Sequence, residues 1–171
     1  MATRILGPDD VDVYRTIRLD ALRTDPSAFC STAEREAAFD DETFRARITS
    51  FDGRPGAVIV DDGRVATGGA ASAAVPAGTV GVGETGEGSA MLVGMWVRPE
   101  ARRDGVARRL VDAAVAWAMG RGLDAVVLWV VADNAAAIAC YGRCGFVATG
   151  AVDTVPGRPD ETEIEMRRTL R

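Results

Sequence analysis

The stretch from Met95 to Leu110 constrains this chain's fold more than any other. An apolar strand end, Met95-Trp96-Val97, passes through the turn Arg98 to Asp104 into a helix opening at Gly105-Val106-Ala107. A strand that enters a helix through an Arg/Gly turn builds an anion site. The first amides of a helix have no partner within it, and the positive end of its dipole lies there, so phosphate oxygens are favoured. The guanidinium groups of Arg102, Arg103 and Arg108 suit the same ligand. Gly105 and Ala107 keep the cradle shallow.

The rest of the chain reads as alternating strands and helices. Thr3 to Leu6 is a strand, and Gly7-Pro8-Asp9-Asp10 starts a helix with Tyr14, Ile17, Ala21 and Leu22 on its apolar face. A loop, Pro26 to Ala38, leads to a second helix at Asp40, whose neighbours Phe39 and Phe44 are spaced as a hydrophobic staple. Ala57 to Asp61 and Arg64 to Ala70 flank Asp62-Gly63, a strong hairpin signal. A Gly-rich loop, Pro76 to Gly88, precedes the fourth strand, Met91 to Val97. The third helix carries Val106, Leu110, Ala113, Ala114 and Trp117 on one face and is stopped by Gly120 and Gly122. The fifth strand is Ala125 to Val131, and the fourth helix runs from Asn134 to about Arg143. Two strands follow, Phe146 to Gly150 and Glu163 to Arg168, joined by a connection, Asp153 to Glu161, expected to be mobile and able to close on a substrate. The expected class is mixed α/β in a single domain, residues 1–171.

Two other phosphate motifs fail on context. Gly81-Val82-Gly83-Glu84-Thr85-Gly86 has the spacing of a dinucleotide fingerprint, but that motif must open a helix and here it leads into a strand. A Walker A loop needs a Lys, and all 20 basic residues are Arg.

Within the opening stretch, Arg102-x-x-Gly105-x-Ala107 resembles the pyrophosphate-binding signature of the GNAT family of N-acetyltransferases. Its second half follows in order and spacing as the strand Val126 to Val131, then Ala132-Asp133-Asn134, Ala135 to Tyr141 and Gly145-Phe146. The resemblance covers roughly residues 91 to 150. It implies a mostly antiparallel central sheet of six to seven strands with flanking helices, in which strands four and five are parallel and splay apart. It also implies acetyl-CoA as acyl donor, with its pyrophosphate on the turn Arg102, Arg103, Asp104, Gly105, Val106, Ala107 and Arg108. The pantetheine arm would pair with the strand Met95, Trp96, Val97 and with Asn134.

Two positions depart from the family turn. Arg103 stands where Gly is common, at little cost if its φ is negative. Asp104 sits beside the phosphates and is expected to point away from them. Tyr141 falls at the family's general-acid position, where a neutral phenol would protonate the departing thiolate. Backbone amides near Trp96 or Val97 would hold the developing oxyanion. The strand Met91 to Val97 carries no carboxylate to act as base, which leaves Glu34, Glu36, Glu84 and Glu87 as alternatives. Phe29, Glu34 and Trp96 are candidates for the acceptor pocket.

The resemblance thus implies an acetyl-CoA-dependent N-acetyltransferase acting on a primary amine of a small molecule, an amine metabolite or an amine-bearing antibiotic. Alternatives are a protein N-terminal acetyltransferase and a non-catalytic acyl-CoA-binding sensor. Composition narrows the partners. Net charge is −5 and pI near 4.8, which repels nucleic acid and favours cations. Cys30, Cys140 and Cys144, with no His in the chain, make neither a zinc site nor a disulfide framework, so no metal is expected. Without a signal peptide or a membrane-length apolar run, a cytoplasmic protein with no membrane contact is expected. A spare strand edge and the resemblance are compatible with a homodimer.

Overall fold

The computed structural model describes residues 2–63 and 75–170. In chain order the elements are β1 (Thr3–Ile5), α1 (Val11–Thr24), α2 (Ala33–Ala37), α3 (Asp41–Thr49), β2 (Ser50–Phe51), β3 (Arg54–Asp61), β4 (Gly78–Glu84), β5 (Ser89–Val97), α4 (Val106–Gly120), β6 (Ala125–Val131), α5 (Ala135–Arg143), β7 (Val147–Thr154) and β8 (Thr162–Thr169). The strands form one sheet in the order β1-β3-β4-β5-β6-β8-β7, with β2 beside β3. Among the described residues every pairing is antiparallel except β5 with β6.

Strand periodicity builds three layers. Along β3, Ala57 and Ile59 face the core beneath α4, while Val58 and Val60 join Leu6, Val11, Phe44 and Ile48 beneath α1 and α3. Helix α4 buries Val106, Leu110, Val111, Ala114, Val115 and Ala118, one continuous stripe at helical spacing. Ala113 and Trp117, expected on that face, flank it half-buried. Helix α3 begins as its sequence dictates. Asp40 accepts from the Thr43 amide at 2.9 Å, and the Phe39 and Phe44 rings close the staple edge to face at 6.2 Å.

Several sequence expectations are corrected. The segment read as a Gly-rich loop, Pro76 to Gly88, contains β4, which pairs with both β3 and β5. Its glycines are weak strand formers, but their neighbours require them. A Cβ at Gly83 would lie 2.1 Å from Phe51 Cβ, and one at Gly78 would lie 2.8 Å from the Trp96 carbonyl oxygen and 2.9 Å from Val106. The strand expected at 64–70 lies outside the described residues, and among those residues β3 pairs with β4. The loop Pro26 to Ala38 contains the short helix α2, capped by Thr32. The connection expected to be mobile is tied down: Val155 is buried, and Arg158 donates to the Ser27 carbonyl at 2.8 Å.

The pairing of β5 with β6 positions the site. They pair at Ser89 with Ala125, Ala90 with Val126 and Met91 with Val127, and no further. Beyond that point β5 stays on β4 as far as Val97, and β6 stays on β8 as far as Val131, so the two strands part. A bulge lies in the parted section of β5. Thr79 opposes Trp96 and Gly81 opposes Val93, which leaves an extra residue at Gly94-Met95, with Gly94 at φ +60. The extra residue reverses the alternation. Leu92, Met95 and Val97 all face the α4 side, and Trp96 turns to α1 beside Ile17 and Ala21.

Seating α4 on Gly78 predicts that Gly78→Ala destabilises the fold by about 1–3 kcal/mol through overpacking. Gly120→Ala, with nothing within 4 Å of the added Cβ, should leave stability unchanged or slightly raised. Urea unfolding of the two variants beside the parent checks both.

Candidate functional site

The parted strands open into a cleft of about 1080 Å³. Strand β5 lines it from Met91 to Val97, β6 from Leu128 to Val131, and α5 contributes Ala137 and Tyr141. The segment 27–30, α1 and the 155–163 segment complete its walls. Where the two strands separate, backbone groups that would have bonded across the gap have no strand partner, so an extended ligand can pair with them.

The α4 N-terminus is bare. Gly105 caps it at φ +75, and among the described residues no side chain accepts from its first amides, as at α1, whereas Thr32, Asp40 and Asn134 cap α2, α3 and α5. The open amides of Val106, Ala107 and Arg108 lie with the positive end of the helix dipole at this N-terminus, an arrangement that suits an anion. Arg103, Asp104 and Arg108 are exposed around it, and Arg108 lies 3.5 Å from Asp112. Arg103 has φ +74, against the expectation of a negative value. A turn geometry that glycine adopts freely is therefore imposed on a side chain, at a cost of about 1–2 kcal/mol.

The side chain of Arg102 reaches Val97 and Asp25. Its Nε donates to the Val97 carbonyl at 3.0 Å and its Nη2 to Asp25 at 2.5 Å. The same Asp25 oxygen accepts from the Trp96 indole at 2.7 Å. Trp96 is thereby buried on the α1 side. Arg109 turns back as well, donating to Asp61 at 2.7 Å and to the Asp104 carbonyl at 2.8 Å. Asn134 lines the cleft, and its side-chain oxygen caps α5 through the Ala137 amide at 3.1 Å. That leaves its NH₂ group to offer.

Tyr141 lines the cleft and packs edge to face on Phe146 at 5.9 Å. Burial, with smaller contributions from Cys140 and Cys144, pushes its phenol well above the ordinary tyrosine value, so it remains a neutral donor.

Of the acids considered from sequence, none is free at the cleft. Glu34 is exposed on α2 and does not line it, Glu84 pairs with Arg121, and Glu87 lies on the β4–β5 turn beside a smaller pocket. Glu36 is 1% exposed, held by Arg18 through bonds of 2.9 and 2.8 Å and by Arg47 at 3.2 Å. Burial raises its carboxyl's affinity for protons, but these cations outweigh that and set it below the usual range. Phe29 lines the cleft beneath the Arg18 guanidinium, 4.8 Å from ring to Cζ.

The cleft acids missed in the sequence are Asp25, Asp133, Glu161 and Glu163. Glu163 is half-buried on β8, directly opposite Asp153 on β7. Burial first, and then Asp153, raise its pKa. Only the β7–β8 register reveals that pairing. Among the described residues no group of His, Cys, Asp and Glu is arranged to hold a metal, and no helix is long and apolar enough to cross a membrane.

Comparison with known proteins gives the same fold. A profile of the acetyltransferase (GNAT) family matches residues 19–146. Mycothiol acetyltransferase from Streptomyces bingchenggensis is 46% identical over 59 residues, 34% of the chain and 18% of that protein, so the match spans less than a fifth of that relative. The crystal structure of a nourseothricin acetyltransferase is 30% identical with a TM-score of 0.56, covering 68% of the chain and 66% of its own. A GNAT-family structure from Desulfovibrio desulfuricans is 19% identical with a TM-score of 0.70, covering 99% of each chain.

The left-handed backbone at position 103 predicts that Arg103→Gly is more stable than Arg103→Val by about 2 kcal/mol, because a β-branched residue tolerates this φ worst. Thermal unfolding of the two variants measures the difference.

Proposed function

The chain belongs to the acetyltransferase (GNAT) family, and on that premise we propose that it transfers the acetyl group of acetyl-CoA to a primary amine of a small molecule, within a ternary complex. The observation that carries this reading is the conjunction of two parted parallel strands, a neutral tyrosine in the cleft they open, and an uncapped helix N-terminus on the turn that follows β5. The residues present fit the donor. A pyrophosphate suits the bare amides of α4, and the parted strand edges suit an arm rich in amides. The relatives named for nourseothricin and mycothiol support a small-molecule acceptor.

Each part of the site has a role in this reading. The amides from Arg103 to Arg108 hold the pyrophosphate, and the exposed guanidinium groups of Arg103 and Arg108 neutralise it. Arg102 acts through its backbone there, while its side chain fastens the turn to Val97 and Asp25. The backbone of Met95 and Val97 pairs with the pantetheine arm, and Asn134 donates to one of its carbonyls. Bound acetyl-CoA supplies an activated carbonyl and a thiol leaving group. Glu163, whose proton affinity is raised, takes a proton from the acceptor's ammonium, directly or through water. The freed amine forms the new N–C bond as the C–S bond breaks. Amides at the β5 bulge face the charge that develops on the carbonyl oxygen. Tyr141 gives its proton to the departing sulfur and regains one shed by the nitrogen, so the products are the N-acetyl amine and coenzyme A.

A thiol-release assay over a diverse amine panel tests this, with calorimetric binding of acetyl-CoA alongside. Turnover with at least one small amine is expected. Acetyl-CoA binding without turnover on any amine or peptide would favour the sensor reading, and turnover confined to peptides would favour an N-terminal acetyltransferase. Tyr141→Phe should lower kcat about 100-fold or more while leaving the acetyl-CoA Kd unchanged. Because the phenol's pKa is raised, the acid form persists as pH rises, so Tyr141 should cause no fall in rate between pH 7 and about 10. Removing the acid beside the phosphates, Asp104→Asn, should tighten acetyl-CoA binding by about fivefold, reflecting about 1 kcal/mol of repulsion in water.

A further inference from the structure

We propose that the acceptor carries a carboxylate close to its amine, and that Arg18, held by Glu36, binds that carboxylate. The inference rests on the transferase reading and specifies its substrate class as a small amino acid or an equivalent zwitterion.

The cluster of Arg18, Glu36 and Arg47 is built rather than incidental. Glu36 is fully buried and takes Nε and Nη2 of Arg18 and Nη1 of Arg47, so two cations share one anion and the group keeps a net positive charge. Buried ion pairs of this kind add little stability against apolar packing, because desolvation offsets the attraction. A role in recognition accounts for retaining one in a cleft wall. Arg18 and Arg47 both line the cleft.

The geometry leaves a donor to spare. With Nε and Nη2 of Arg18 bonded to Glu36, its Nη1 has no hydrogen-bond partner among the described residues. The guanidinium is clamped between Glu36 and the Phe29 ring, so its orientation is set before a ligand arrives. A Cβ built on Gly94 would lie 3.7 Å from Nη1. The spare donor therefore sits beside the β5 bulge, where the acetyl carbonyl would be presented. An anion on Nη1 would be only a few bonds from the attacking nitrogen, as in an α- or β-amino acid. Elsewhere on the cleft, Glu163 presents the opposite charge to an ammonium, while Glu161 is paired with Arg158 at 2.9 Å. A plain diamine would meet uncompensated guanidinium charge, and a zwitterion satisfies both signs.

The test is thiol release from acetyl-CoA with matched acceptors across many side chains: each L-amino acid, its amide and its decarboxylated amine. The expected result is at least a tenfold advantage in kcat/KM for the acid over both analogues in the preferred series, expressed in KM. Arg18→Lys, which keeps a cation for Glu36 but loses the clamped donor, should bring that ratio close to one. The comparison on the parent protein stands even if a variant folds poorly. Amides or uncharged amines that match or exceed the acids would overturn this inference and leave the transferase reading intact. No turnover with any acceptor of this set, while an amine of the broader panel turns over, would overturn this inference alone, and no turnover with either set, while acetyl-CoA binds, would overturn both.

Discussion

The hydrogen-bond ladder between β5 and β6 ends after Met91 and Val127, and the rest of the site depends on that interruption. Two parallel strands in the middle of a sheet ordinarily satisfy each other's backbone along their length. Here each is held by its outer neighbour instead, β5 by β4 and β6 by β8, so the sheet stays one body while its centre opens. The Gly94 bulge then reverses the alternation of β5. Met95 and Val97 turn toward α4, while Trp96 swings to α1. Without the extra residue Trp96 would face the α4 side, and the indole link to Asp25 would be lost.

Paired charges hold the walls around the opening. Asp25, at the C-terminal end of α1, joins the Trp96 indole to the Arg102 guanidinium, linking α1, β5 and the turn before α4 through one carboxylate. Arg98 is buried at the end of β5, bonded to Asp20 at 2.6 Å and to the Pro76 carbonyl at 2.8 Å. Both links tie α1 to the strand that carries the bulge. Arg109 extends the pattern on the other side by reaching Asp61 of β3. In a chain whose only basic side chain is arginine, several guanidinium groups serve the architecture, and a smaller number remain available to ligands.

Particular residues show how far the sequence could be read. The strand Ala125–Val131, the α4 stripe, the Asp40 cap with its Phe39–Phe44 staple, and the Asn134 start of α5 rest on contacts within a few residues, and each lies where periodicity and capping rules put it. Strand β4 is not legible in the sequence because its glycines carry no strand propensity. Their need arises from Phe51, Val93 and α4, which are distant in sequence and pack against them. The φ of Arg103 departs from the sequence expectation for a related reason, since side-chain type gives only a preference and the turn geometry prevails. Glu34 is a candidate as one acid of the loop Pro26 to Ala38, yet that segment folds into α2, which buries Glu36 and leaves Glu34 in solvent.

The sequence by itself determined the chain's local chemistry: a strand-turn-helix with bare amides for an anion, a tyrosine one helix later, and a mixed α/β order. These follow from nearest-neighbour backbone geometry and from periodicity, which a linear pattern records directly. Only the tertiary structure decided which charges meet in the cleft. The opposition of Asp153 and Glu163 is set by strand register, and the assembly of Arg18, Glu36 and Arg47 by the packing of three helices. Proton affinity and ligand charge depend on such through-space distances and on burial, and neither quantity is written along the chain.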